Sequence, residues 1–175
     1  GRDHYLIETF YQEDLDPELS GKNLDRLCQF VSTQESLMGK DHVRVMLVPS
    51  SSEIMTEKLP SFAAPFSQAA ITNRLEEKGI GKMLVPVRQA LSDAKEQQEP
   101  YYRTDHHWTS FGAFTGYQAW AASLGLDSFK PSDFQQETVS DHFLGTIHSK
   151  LNIPVQADSI VLYRPKKEPV WSVYY

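Results

Sequence analysis

The chain of 175 residues has little cysteine, no long apolar run and no excess of positive charge. Its single cysteine, Cys28, has no partner for an internal disulfide, so cysteine usage leaves the redox compartment open. Cys28 falls on the apolar side of a predicted helix and reads as a buried structural thiol rather than a nucleophile. No stretch approaches the roughly 18 apolar residues that span a bilayer, and no signal peptide is visible. The net charge of -6 excludes a general nucleic-acid binder, which needs a basic face for phosphates, and disfavours docking on anionic lipid. Also missing are a Walker loop, a Gly-x-Gly-x-x-Gly fingerprint and a Gly-x-Ser-x-Gly nucleophile elbow.

What remains is the composition of one globular domain spanning residues 1–175, with 40% apolar and 23% charged residues. The chain begins at Gly1 without an initiator Met and ends in the apolar, aromatic stretch 169–175. Both features point to a piece of a longer precursor, truncated at the C-terminus. Apolar periodicity predicts helices over Asn23–Met38, Ser67–Lys78 and Gln89–Gln97, and a third long helix capped by Thr109 or Ser110. Asp16-Pro17 marks a turn or helix entry, and Ser50 to Glu53 offers an N-cap with a nearby acid. Val43–Val48 and Lys82–Val87 read as buried strands, the second ended by Pro86. Ser159–Tyr163 reads as a late strand, His4–Phe10 as a strand or extended lead-in, and Asp127–Thr138 as irregular. Strands alternating with helices imply an α/β fold, a three-layer sandwich with a mostly parallel central sheet. Ligands in such folds sit beyond the carboxyl ends of the strands, where Pro49–Ser52 and Thr104–Trp108 fall.

Chemistry concentrates in Tyr101-Tyr102-Arg103-Thr104-Asp105-His106-His107-Trp108-Thr109. In an extended backbone Asp105 and His107 point to one side and His106 to the other. A carboxylate can fix one imidazole nitrogen as a donor and leave the other free to take a proton from a serine hydroxyl. Trp108 would wall such a site, with Tyr102, Arg103 and His106 as candidate substrate contacts. A structural cluster satisfying buried backbone groups is the alternative. A metal centre is a third reading, because Asp3-His4, Asp41-His42, Asp105-His106 and Asp141-His142 pair acids with imidazoles. These pairs are scattered without a ligand spacing, so no metal site is assigned. Ser50, Ser51 and Ser52 read first as cap and loop serines, and Ser149 is a further hydroxyl beside an imidazole; Gly145-Thr146 suggests a tight, site-lining turn.

The nine-residue string resembles the signature of the DHHW protein family, which is similar to the AlgX/AlgJ-type polysaccharide O-acetyltransferases of the SGNH hydrolase-like superfamily. Asp3–Ile7, Met46–Ser50, Lys58–Pro60, Val139–Thr146 and Ser149-Lys150 resemble further family blocks in family order. The resemblance implies an SGNH hydrolase-like domain with Asp105 as the triad acid and His107 as the base. It places the nucleophilic serine well downstream of the motif, in a block not found before Tyr175. It further implies an exported or membrane-anchored O-acetyltransferase or esterase acting on a cell-envelope polysaccharide. Such an enzyme needs no cofactor, only an acyl donor, for which a membrane protein is a candidate partner. A non-catalytic glycan-binding or assembly module and a metal-dependent hydrolase stand as the alternatives.

Overall fold

A computed structural model describes residues 1–39 and 41–167; the terminal aromatic stretch noted above lies outside them. The longest helix, α1 (Pro17–Met38), starts where the Asp16 carboxylate accepts hydrogen bonds from the Glu18 and Leu19 amides at 2.9 and 3.0 Å. Pro17 fits the first helical position, where its missing N–H is not needed. The apolar pattern alone starts the helix at Asn23, because its first turns face solvent and carry no periodicity. The helix ends at Gly39, whose φ of 91° a side-chain-bearing residue rarely adopts. It buries Leu24 and Val31 against Leu75 and Ile80, with Cys28 packed partly buried beside them.

The segment after α1 runs extended and meets the chain again at Leu84 in a parallel bridge: Val45 donates to the Met83 carbonyl at 2.8 Å, and Val85 donates to the Val45 carbonyl at 2.9 Å. Among the described residues this bridge is the extent of the parallel pairing, where the sequence predicts two full strands of a mostly parallel sheet. The second of them is displaced by local chemistry. Gly81–Met83 forms a 3-10 turn, and Pro86, which cannot donate to a ladder, becomes the entry to α4 (Val87–Ala94). Between the two lie the short helix α2 (Ser51–Ile54) and α3 (Ala69–Leu75), which widens into a π-turn over Glu76–Ile80 and breaks at Gly79.

A regular sheet forms later and is antiparallel. Strand β1 (Phe134–Phe143) pairs with β2 (Asp158–Pro165), from Phe134 opposite Pro165 to Phe143 opposite Asp158, with irregularities either side of Ser140. The sequence predicts part of β1 as irregular. The strand is polar and mostly exposed, so it lacks the period-two apolar signal of a half-buried strand. Phe134 and Tyr163 of this ribbon pack on Phe114 of α5 (Ser110–Ser123), with ring centroids 5.4 Å from it in both cases. Between β1 and β2 lies α6 (Thr146–Leu151). Among the described residues no helix is long and apolar enough to cross a membrane.

The main core joins Tyr5, Ile54, Met55, Val85, Val87, Leu91 and Tyr101, with Trp108 packed against it. Helix α5 holds the Trp108 side of the motif at very short range. It is capped by the Thr109 hydroxyl, which accepts from the Gly112 amide at 3.2 Å. A Cβ on Gly112 would lie 2.2 Å from the Pro100 carbonyl oxygen, and one on Gly116 would lie 2.8 Å from the Trp108 ring. Backbone cannot yield at such distances as a flexible side chain can. Gly112→Ala is therefore expected to destabilise the fold by about 1–3 kcal/mol despite the better helix propensity of alanine, as measured by urea unfolding.

Candidate active site

Tyr101 and Trp108 pair in an antiparallel bridge, and Tyr102 donates to the His107 carbonyl at 3.3 Å. Residues 103–107 are therefore a tight loop of bends rather than an extended segment. Asp158, the first residue of β2, holds the base of this loop. Its carboxylate accepts from the Arg103 amide at 2.8 Å, the Thr104 amide at 2.9 Å and the Thr104 hydroxyl at 2.5 Å. Thr104 is fully buried, and its hydroxyl accepts in turn from the Gly145 amide at 2.9 Å. Its carbonyl accepts from the His148 amide at 3.1 Å. The ribbon and α6 are thereby tied to the motif through main-chain groups.

The same turn brings Gly145 against Asp105. A Cβ at Gly145 would sit 2.3 Å from the Asp105 Cβ, so only glycine permits this approach. Asp105 is 3% exposed and saturated with donors. Its Oδ1 accepts from the His107 amide at 2.8 Å and bonds His107 Nδ1 at 2.6 Å; its Oδ2 accepts from the Thr146 amide at 2.7 Å. Burial works to raise the Asp105 pKa, but the hydrogen bonds from Thr146 and His107 outweigh it and hold the carboxyl down to about 2. The ionised acid fixes His107 with Nδ1 as the donor and leaves Nε2 free.

Asp105 and His107 thus meet as their spacing predicts, by a different route. The amide bond from His107 to the Asp105 side chain makes an Asx-type turn, and the turn aims the ring. The expectation that His106 faces the opposite side does not hold. Its ring lies 3.9 Å, centroid to centroid, from that of His107, and its Nδ1 bonds the Thr146 hydroxyl at 2.7 Å. A loop of bends does not alternate sides as a strand does.

His106, His107 and Trp108 line a cavity of about 430 Å³, together with Tyr101, Glu8, Phe10, Gln68, Ser50 and Ser51. The Tyr101 hydroxyl donates to the Pro49 carbonyl and so ties the loop after the first extended segment to the motif. Sequence reasoning missed Glu8, Gln68 and Asp158, and gave Tyr101 of the motif no role of its own. Asp158 had one legible trace, a lone acid opening an apolar strand. Tyr102 and Arg103 are not brought to this cavity: Tyr102 packs edge-on against Phe143 at 5.2 Å, and Arg103 pairs with Glu99 at 2.9 Å over the Tyr5 ring. Among the described residues no serine hydroxyl bonds the His107 ring. Ser50 and Ser52 share a hydrogen bond at 2.8 Å, and Ser149 donates to the Gly145 carbonyl at 3.1 Å. Asp105, His106 and His107 could each offer a metal one ligand atom within 4.8 Å of the others. Oδ1 of Asp105 already accepts two N–H bonds from His107, and a cation at that oxygen would have to displace one of them.

A profile for the SGNH hydrolase-like domain of the acetyltransferase AlgX matches residues 9–168. The chain belongs to this family. Among solved structures it is similar to a DHHW family protein from Eubacterium siraeum, at 22% identity and a TM-score of 0.63, covering 79% of this chain and 48% of that one. It is similar to the O-acetyltransferase domain of Pseudomonas putida AlgJ at 20% identity and a TM-score of 0.65, covering 95% and 64% of the two chains. It is likewise similar to Bacillus cereus PatB1 carrying a sulfonyl adduct, at 20% identity and a TM-score of 0.66, covering 94% and 55%. The chain thus spans from about half to under two thirds of these relatives' lengths. No curated protein matches it. The SGNH hydrolase-like fold expected from the motif is therefore that of this family.

Two measurements check the hydrogen-bonding scheme. Asp158→Ala leaves three donors, two of them buried, without their acceptor and should cost on the order of 3 kcal/mol, read from thermal or urea unfolding. Asp105 carries the pH test. Because its folded pKa lies below the unfolded value, its stabilisation of about 2 kcal/mol is complete above about pH 4. It is lost progressively as the pH falls through about 2. Asp105→Asn should therefore flatten the dependence of unfolding free energy on pH below about 4.

Proposed function

We propose that this chain carries the acid and base of an SGNH-like O-acetyltransferase or esterase acting on cell-envelope polysaccharide. The reading rests chiefly on one observation: a buried, ionised Asp105 holds Nδ1 of a solvent-facing His107, whose ring opens on a cavity. This is the pairing that general-base activation of a hydroxyl requires. Family membership and the likeness to AlgJ and PatB1 support the same chemistry. The nucleophile in this reading is a serine supplied from outside these 175 residues.

In this reading each step has its own group. His107 Nε2 takes the proton of the serine hydroxyl as its oxygen attacks the acetyl carbonyl. Asp105 stays ionised and stabilises the resulting imidazolium through Nδ1–H. His107 then returns the proton to the departing alcohol oxygen. In the second half-reaction it takes a proton from a sugar hydroxyl, for transfer, or from water, for hydrolysis, as that oxygen attacks the acetyl-serine carbonyl, and it returns the proton to the serine oxygen as the ester bond breaks. Trp108 closes one side of the cavity and is held by α5, so the base does not drift. No cofactor enters the scheme, only an acetyl donor, for which a membrane-bound acyl carrier is the proposed partner. The proposed setting is outside the cytoplasm, in a secreted or membrane-anchored protein. The three-layer sandwich with a mostly parallel sheet belongs to the same reading, which the single parallel bridge Val45–Leu84 supports.

In the intact protein, His107→Ala should lower kcat on an acetyl ester such as 4-nitrophenyl acetate by about 10²–10⁴-fold, with a stability loss of only about 1 kcal/mol from the lost Nδ1 bond to Asp105. Turnover at the wild-type rate would refute the assignment.

A further inference from the structure

The cavity beside His107 also holds a carboxamide side chain, Gln68, that the acid–base scheme leaves unused. Two turns distant in sequence clamp each other around it. The Ser50 amide donates to Gln68 Oε1 at 2.8 Å, and the Gln68 amide donates to Glu53 Oε2 at 3.0 Å. Glu53 is fixed in its turn: its side chain is 9% exposed, and its Oε1 pairs with Arg88 at 3.3 Å. The clamp is tied to the motif as well. Pro49, next to Ser50, offers the carbonyl that accepts from the Tyr101 hydroxyl, and Tyr101 bridges Trp108. A continuous set of bonds thus runs from the motif loop to the Gln68 carboxamide.

The partner at Ser50 decides how the carboxamide lies. A main-chain N–H is met by a carbonyl oxygen and not by an NH₂ group, so Oε1 faces Ser50 and Nε2 faces away from it. Gln68 is half-buried and lines the same cavity as the His107 ring. It also borders the groove along Leu47 and Val48, but the imidazoles lie on the cavity side. Its Nε2 is therefore a neutral donor, held in place before any substrate arrives, on the cavity where a hydroxyl activated by His107 attacks. When a serine oxygen bonds to the acetyl carbon, the π pair of the C=O moves onto the carbonyl oxygen. That oxygen carries negative charge until the pair returns and the bond to the departing alcohol breaks. A donor oriented in advance stabilises this charge without reorganising.

We infer that Gln68 is a further catalytic residue, whose Nε2 donates to the acetyl carbonyl oxygen as that oxygen gains charge. The inference rests on the acyl-transfer reading of His107. In the intact protein, Gln68→Leu should lower kcat on 4-nitrophenyl acetate by about 10²–10³-fold, with KM changed by less than about threefold. Gln68→Glu keeps an acceptor for the Ser50 amide but loses the donor, so it should lower kcat as well while the thermal midpoint holds. A second substrate isolates the carbonyl oxygen. In 4-nitrophenyl thionoacetate a C=S group replaces the C=O, and sulfur accepts hydrogen bonds weakly. The wild type should be slowed by this exchange, and in Gln68→Leu the slowing should be at least about tenfold smaller, because the donor is already gone. Equal slowing in both proteins would overturn the inference. So would wild-type kcat in Gln68→Glu, the outcome if the side chain only braces the Ser50 turn, or an effect confined to KM. Full turnover by His107→Ala would refute the proposed function instead, whereas a His107-dependent enzyme indifferent to Gln68 would refute this inference alone.

Discussion

Two main-chain amides and one hydroxyl converge on the Asp158 carboxylate, and the orientation of the whole motif loop descends from that convergence. A turn of five bends has few internal hydrogen bonds of its own, and its buried N–H groups need an acceptor. Asp158 supplies it from the start of β2, and the Thr104 hydroxyl passes the connection on to Gly145. Without this anchor the amide of Thr146 would not be aimed at Asp105, and the carboxylate beside His107 would lose one of its bonds. The antiparallel ribbon, which lines none of the cavity, is thus what holds the acid in place.

The acid and the base are placed in opposite environments. Asp105 is buried and surrounded by N–H donors, so it stays charged despite its desolvation. His107 is 65% exposed and keeps one nitrogen free. A buried acid that cannot be protonated at neutral pH, next to a base that can reach a reactant, is the division of labour that general-base chemistry needs. The His106 ring, tilted against it, and the Thr146 hydroxyl extend the cluster without taking over the Nδ1 contact.

Close approach is the second constraint. Gly112, Gly116 and Gly145 each sit where a single methyl group would collide with backbone, an aromatic ring or the Asp105 side chain. They let α5 lie directly under the motif and let the ribbon turn touch the acid. The distances of the site follow from these missing side chains as much as from the polar groups.

Asp105-x-His107-Trp108 was legible in the sequence because short spacing brings the groups together whatever the surroundings; acid and base pair across two residues in a strand or a turn. The entry to α1 at Asp16-Pro17 and the cap of α5 at Thr109 were legible for the same reason, since each is settled by neighbours in the chain. The side on which His106 lies was not, because alternation presumes an extended backbone that the Asp158 contacts replace with bends. Nor was strand β1, whose polar faces carry no period. Tyr102 and Arg103, adjacent to the acid in sequence, turn to Phe143 and Glu99 instead. Glu8, Gln68 and Asp158 stand 37 to 97 positions from Asp105. Local spacing determined which groups could react. Tertiary packing alone decided what surrounds them, because contacts between distant segments depend on which buried donors and apolar faces find partners once the chain has closed on itself.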